Sequence, residues 1–145
     1  MKRNFLAGVA MCAFLMAVSA CTSLDSARPA AQNVTIIVRG SLLYRQRIAL
    51  HPGSVANVTL SDVSIADRPA DVIASQAIPL EGRQVPVAFQ LTVDRSSLRS
   101  GRRYSVRGTI TNAEGELLWT TDTVHSVDIN MPIADLGSLM LVPAR

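Results

Sequence analysis

Val85-Pro86-Val87-Ala88-Phe89-Gln90-Leu91-Thr92-Val93 is the stretch that decides the fold. Val85, Val87, Phe89, Leu91 and Val93 fall on one face, and Pro86, Ala88, Gln90 and Thr92 on the other. Successive side chains of a strand point to opposite sides of the sheet, so this alternation marks a half-buried β-strand. Pro86 has no N–H to give to a ladder, which places the stretch at a sheet edge or at a strand start.

The same period recurs on both sides. Upstream, Val34, Ile36 and Val38 alternate with Thr35, Ile37 and Arg39 until Gly40 interrupts. Val58 and Leu60 alternate with Thr59 and Ser61, and the phase then slips to Val63 and Ile65, which predicts a bulge near Asp62. Asp71 to Ile78 has a composition that a short helix could use, but Pro69 and Pro79 bracket it and a strand is preferred. Downstream, Tyr104, Val106, Gly108 and Ile110 alternate with Arg103, Ser105, Arg107 and Thr109. Asn112 to Gly115 reads as a turn, and Leu117 to Val124 as the returning hairpin partner with Leu117, Trp119 and Thr121 on one face. Leu139 to Val142 is a short closing strand. Further turn signals stand at His51-Pro52-Gly53, Arg68-Pro69, Glu81-Gly82 and Ser100-Gly101. Short alternating strands with regular turns are the pattern of a sandwich or barrel. The expectation is an all-β fold: one small antiparallel β-sandwich domain over residues 33–145.

The first residues follow a different rule. Lys2 and Arg3 precede an apolar run from Phe5 to Val18, and small residues close it. These are the three parts of a signal peptide. The run is shorter than the stretch of about 20 apolar residues that spans a bilayer. Val18-Ser19-Ala20-Cys21 resembles the bacterial lipobox, an aliphatic residue and two small ones before a cysteine. Residues 1–20 are therefore expected to be a lipoprotein signal peptide, cleaved between Ala20 and Cys21. The Cys21 thiol would take diacylglycerol and its freed amine a further acyl chain. Two or three acyl chains make a lasting anchor where one is marginal. By the enterobacterial sorting rule, Thr22 rather than aspartate points to the periplasmic face of the outer membrane. Thr22 to Gln32 is small, polar and without periodicity, and is read with Cys21 as a flexible tether.

Composition then has to be read without the signal. The whole chain carries 14 cations and 11 acids. Cleavage would remove Lys2, its one lysine, and Arg3, so the high isoelectric point is no sign of nucleic-acid binding. Arg99, Arg102, Arg103 and Arg107 form the densest basic cluster, most simply a solvated turn and strand face. Cys12 leaves with the signal, and Cys21 is acylated, so no disulfide is expected.

The search for reactive groups returns little. His51 and His125 have no second histidine or cysteine at metal-ligand spacing. There is no Gly-x-Ser-x-Gly elbow, no Ser-x-x-Lys pair and no glycine-rich phosphate loop. Asp62, Asp67 and Asp71 are close in sequence but do not have calcium-loop spacing, and they read as turn-capping aspartates with an arginine partner. No enzyme, cofactor or metal is expected.

The ordered combination Gly40-Ser-Leu-Leu-Tyr44-Arg45-Gln-Arg47-Ile48-Ala-Leu50-His-Pro52, then Val58-Thr-Leu60-Ser-Asp62-Val63-Ser64-Ile-Ala-Asp67-Arg-Pro69, then Val85-Pro86-Val87-Ala-Phe89 and Tyr104-Ser-Val106-Arg107-Gly-Thr-Ile110, resembles the YbaY/YscW-type lipoprotein family from about Val34 onward. The resemblance implies a compact β-domain on a lipid anchor. It also implies kinship with pilotins, lipoprotein chaperones that help an outer-membrane secretin reach and assemble in its membrane. Within the motif, Tyr44 is expected to pack at a sheet edge. Arg45, Arg47, Asp62 and Asp67 are expected either to pair across adjacent strands and hold the fold, or to contact a partner. Three functions follow as expectations. The first is a non-enzymatic interaction or chaperone module, anchored to membrane lipid through Cys21 and engaging an outer-membrane or secretion protein. The second is a lipoprotein domain that binds a small apolar or glycan ligand between its sheets. The third, against the reading above, is an enzyme whose polar groups meet only in the folded chain.

Overall fold

A computed structural model describes residues 34–145; the expected signal peptide, Ala20, Cys21 and the expected tether lie outside the described residues. Eight strands follow in order: β1 (Thr35–Leu43), β2 (Val55–Asp62), β3 (Asp71–Pro79), β4 (Val87–Asp94), β5 (Tyr104–Thr111), β6 (Leu117–Thr121), β7 (His125–Val127) and β8 (Ile133–Pro143). Arg95–Ser97 forms one 3₁₀ turn. The all-β expectation holds.

The strands form one continuous sheet in the order β3-β2-β5-β6-β8-β1-β4, with β7 paired to β5 beyond the end of β6. The sheet curls so that β1 faces β5 across the core: Leu42 lies so close over Gly108 that a Cβ there would sit 2.4 Å from its Cδ2. The result is barrel-like, with β6 linking two facing halves. The end strands β3 and β4 meet at a seam, where Gln76 Oε1 accepts a hydrogen bond of 3.3 Å from the Gln90 N–H. One side chain, rather than a backbone ladder, bridges the seam there.

Ladders are antiparallel except between β1 and β8, which run parallel, a departure from the all-antiparallel expectation. β4 begins one residue after Pro86 and ends the strand path, so it is both a strand start and an edge. Val87, Phe89, Leu91 and Val93 are buried, and Ala88, Gln90 and Thr92 are exposed, as the alternation predicts. The slip read near Asp62 appears as a register shift between Leu60 and Ser61 against β3.

Two expectations need correction. Leu117 to Val124 is not one strand: the chain leaves the ladder at Asp122–Val124 and returns as β7. A register shift at Ile110/Thr111 also turns Leu117 outward while Trp119 stays buried. The final strand is 11 residues long rather than four. It passes through a register shift opposite Arg39/Ser41, beside Gly137 at φ +63°, where the alternation loses phase.

The interior is aliphatic. Ile36, Val38, Leu42, Val58, Leu60, Ile110, Leu139 and Leu141 are all at most 1% exposed, and Ser54 is the one buried polar residue among those described. With no cysteine between residues 34 and 145, this packing has to hold the domain. Each such side chain contributes about 1.5–3 kcal/mol relative to exposure.

Asp and Asn residues close the strands. Asp62 accepts from the backbone N–H of Ser64, Asp94 from Ser96, Asn112 from Glu114 and Asp128 from Asn130, each two residues on. The short side chain replaces the ladder partner that the backbone loses at a strand end.

Candidate functional site

The barrel has two ends, and the sequence motif is divided between them. β1 starts beside the end of β4, where Arg95 N–H donates to Val34 O at 2.9 Å. Asp62 ends β2 opposite Tyr104, at the same end. Tyr44, Arg45 and Arg47 follow the other end of β1, beside the start of β4 and the β3–β4 turn. Strands of eight or nine residues at about 3.3 Å per residue separate the two ends by roughly 20–25 Å. Arg45 and Arg47 therefore do not pair with Asp62 or Asp67, which corrects the expectation of cross-strand ion pairs.

At the Tyr44 end the chain forms a braced loop from Tyr44 to Leu50. Tyr44 is a core residue, 5% exposed. Its ring stacks on Trp119 with centroids 4.1 Å apart and planes 5° from parallel. Its hydroxyl reaches back along the loop and donates to the Ile48 carbonyl at 2.6 Å. Burial raises the Tyr44 phenol above its ordinary range. The loop's far side is held by Gln84: its Oε1 accepts from Leu50 N–H at 2.7 Å, and its Nε2 donates to Leu50 O at 3.2 Å. One side-chain amide thus mimics a strand partner.

This bracing leaves the middle of the loop on the surface. Arg45 and Arg47 are exposed, and neither is in any of the three ion pairs found among the described residues, Arg39–Asp135, Arg68–Asp71 and Arg102–Asp62. Ile48 is 60% exposed despite its size. Tyr44, Ile48 and Leu50 thus serve the loop differently: the first and last are buried in the core, the middle one is presented to solvent.

At the Asp62 end the charged groups serve the fold. Hydrogen bonds from Ser64, first its hydroxyl and then its backbone N–H, hold the Asp62 carboxyl below the usual carboxylate range, with Arg102 and Arg68 adding to the effect. Arg102 lies 3.8 Å from Asp62. Asp67 is exposed in the turn that follows. In the basic cluster the Arg107 side chain reaches Thr120 and that of Arg103 the Ser64 carbonyl, while the backbone N–H groups of Arg103 and Arg99 bond Ser64 Oγ and the Tyr104 hydroxyl. Nearby, Arg95 reaches the Ile129 carbonyl.

The concavities lie on the outside. One of about 590 Å³ lies over Ser41, Ala88 and Ser138, flanked by the Arg39–Asp135 pair. Another, of about 350 Å³, is lined by Asp62, Asp71, Arg68, Arg99 and Arg102. The core side chains pack together between the facing halves, and the two concavities just described open on the outer surface instead. No cluster of three His, Cys, Asp or Glu suited to a metal occurs among the described residues. His51 is exposed in the turn after Leu50, and His125 contacts Thr123 Oγ1 through Nε2 at 3.2 Å.

Comparison with known proteins places this geometry. The chain is 38% identical over 108 residues to the uncharacterized lipoprotein YbaY of Escherichia coli, which covers 74% of this chain and 55% of that one. It thus spans about half the length of that curated relative. An alternative pilotin from the type II secretion system of Vibrio cholerae has the same fold at a TM-score of 0.67 and 38% identity, covering 76% of this chain and 99% of the pilotin. The family model for the type III secretion system lipoprotein chaperone YscW matches residues 33–137. The braced loop and strands β1 to β7 fall inside that match, which ends within β8, and the chain belongs to the YscW lipoprotein chaperone family.

Proposed function

We propose that this protein is a non-enzymatic, pilotin-like lipoprotein chaperone. In this reading Cys21 is acylated and held in the periplasmic leaflet of the outer membrane. Residues 21–32 link it to the β-domain, and the domain engages a secretin or comparable envelope subunit. The observation that carries the reading is the likeness to a secretion-system pilotin across 99% of that protein's chain. The lipobox sequence and Thr22 support the anchor and its destination.

The geometry is compatible with this order of parts. The described chain begins at Val34, at the Asp62 end. Thirteen residues from Cys21 at no more than about 3.6 Å each reach at most roughly 47 Å. An anchored domain would stay near the bilayer with its Tyr44 end at the far side of the barrel from the tether.

The test is deletion of the gene in its own host, followed by separation of inner and outer membranes. Secretin multimers are expected to leave the outer-membrane fraction and return with the plasmid-borne wild type. Unchanged multimers in the outer membrane would overturn the reading. Palmitate labelling of wild type and Cys21→Ala tests the anchor separately, with label expected on the wild type alone.

A further inference from the structure

We propose that the Arg45–Ile48 segment is the surface on which the client docks, and that it takes a client segment in which carboxylates flank an apolar side chain. This rests on the chaperone reading above and adds the place and the chemistry of the contact.

Three observations carry it. First, the loop is built in advance of any partner. Tyr44 is stacked on Trp119 and bonds the Ile48 carbonyl, and Gln84 clamps Leu50 from both sides. A surface already held in one conformation loses less freedom on binding. Second, what the bracing displays is an aliphatic side chain, 60% exposed, with arginines one and three residues before it. The fold gains nothing from exposing Ile48, and arginine with an apolar anchor is the composition of an interface centre. Third, Arg45 and Arg47 have neither a carboxylate partner nor a side-chain hydrogen bond among the described residues, whereas Arg39, Arg68 and Arg102 each hold a carboxylate and Arg83, Arg95, Arg103 and Arg107 each reach another oxygen. Their charges are available to carboxylates from outside. Glu81 and Arg83 stand exposed on the neighbouring turn, where Arg83 donates to the Leu80 and Pro79 carbonyls.

The position favours a polypeptide over a membrane. The loop lies at the end of the barrel opposite to Val34, where the chain arrives from the anchor side. Basic residues meant for headgroups would be expected at the tether end, and that end has its own: Arg102 and Arg68 pair with Asp62 and Asp71, while Arg95, Arg99 and Arg103 are exposed there without a carboxylate partner among the described residues.

The experiment places the photo-crosslinker benzoylphenylalanine at position 48 of the full-length lipoprotein in its own host. Positions 67 and 99, at the opposite end, serve as controls. Adducts are sequenced by mass spectrometry, with and without Arg45→Glu and Arg47→Glu together. The expected result is a protein adduct from position 48 whose attached segment carries carboxylates beside an apolar residue. The double charge reversal should lower its yield about tenfold. Because both arginines are exposed and unpaired, the reversal should shift the unfolding midpoint little. Adducts from 67 or 99 but not 48 would overturn this inference and leave the chaperone reading in place. So would an adduct of position 48 with phospholipid alone, or one whose yield ignores the charge reversal. No adduct from any position would overturn both.

Discussion

The Tyr44 phenol ties the core to the loop, and its two contacts can be removed separately. Tyr44→Phe keeps the ring on Trp119 and deletes only the hydrogen bond to the Ile48 carbonyl. That carbonyl belongs to an exposed loop residue and can turn to water, so the loss should be about 1 kcal/mol. Tyr44→Ala removes a ring that is 5% exposed. Large aromatic truncations in a core cost about 3–5 kcal/mol, of which the aromatic pair itself accounts for about 0.5–1.5 kcal/mol. For a domain of this size 1 kcal/mol moves the thermal midpoint by about 4 °C or more, so the two variants should fall by roughly 4 °C and 15 °C. Trp119 is the one tryptophan in the chain, so its fluorescence reads the stack directly. The emission should stay near wild type in Tyr44→Phe and shift to the red in Tyr44→Ala. Amide exchange from Ile48 to Leu50 should quicken in both. Equal destabilisation by the two variants, or an alanine variant within 1 kcal/mol of wild type by denaturant titration, would refute the separation of roles.

Other changes test the same structure elsewhere. Gly40→Ala would set a Cβ 2.8 Å from the Gly137 carbonyl oxygen and 3.0 Å from Phe89 Cζ, with backbone on one side. It should cost about 1–3 kcal/mol or more in urea unfolding, and a midpoint equal to wild type would contradict the packing at the β8 bulge. Gln84→Glu leaves an acceptor for Leu50 N–H but turns a carboxylate oxygen onto the Leu50 carbonyl; exchange at Leu50 should accelerate, and protection as in wild type would count against the clamp. Ser54 Oγ is buried without a hydrogen-bond partner among the described residues, so Ser54→Ala should be neutral or stabilising by about 1 kcal/mol, and a loss larger than that would reveal a bond the structure lacks. Asp62, Asp94 and Asp135 all have depressed carboxyl pKa values, set first by hydrogen bonds from Ser64, Ser96 and the Gly137 N–H respectively. A depressed folded-state pKa gives stability that is present above the unfolded value and lost as pH falls through the folded one. Stability should therefore hold near neutrality and decline below about pH 4; a flat profile down to pH 2 would contradict these turns.

The parts of the fold that local alternation can carry were legible, and the parts that depend on broken phase were not. β4 and residues 36–39 of β1 read correctly because each buried side chain is followed by a more exposed one, whereas Val34, which the alternation places with Ile36 and Val38, is 61% exposed ahead of the strand. β8 was shortened to its apolar tail because the bulge at Gly137 resets which residues face inward. β6 and β7 were fused because a shift at Ile110/Thr111 rotates Leu117 out of the face it shares by parity with Trp119. The parallel pairing of the first and last long strands is a topological fact with no local signature.

The site was legible as a motif and not as a place. Tyr-Arg-x-Arg-Ile-x-Leu maps onto one braced loop, yet proximity in a motif suggests ion pairs that the ends of the barrel keep apart. Tyr44 was expected at an edge, but pairs with Trp119 from far along the chain, which no spacing rule connects. Gln84 was missed altogether. A lone glutamine in a turn carries no pattern, and its role emerges only where Leu50 runs beside it.

The central claim is that a lipid-anchored β-domain determines where its client goes. Thr22→Asp tests this most directly, because an aspartate after the lipidated cysteine is the inner-membrane retention signal of enterobacteria. The measurement is the distribution of lipoprotein and secretin between the two membranes in cells whose one copy carries Thr22→Asp. The account requires both to move to the inner membrane together. A lipoprotein that moves while the secretin multimer stays in the outer membrane would contradict it.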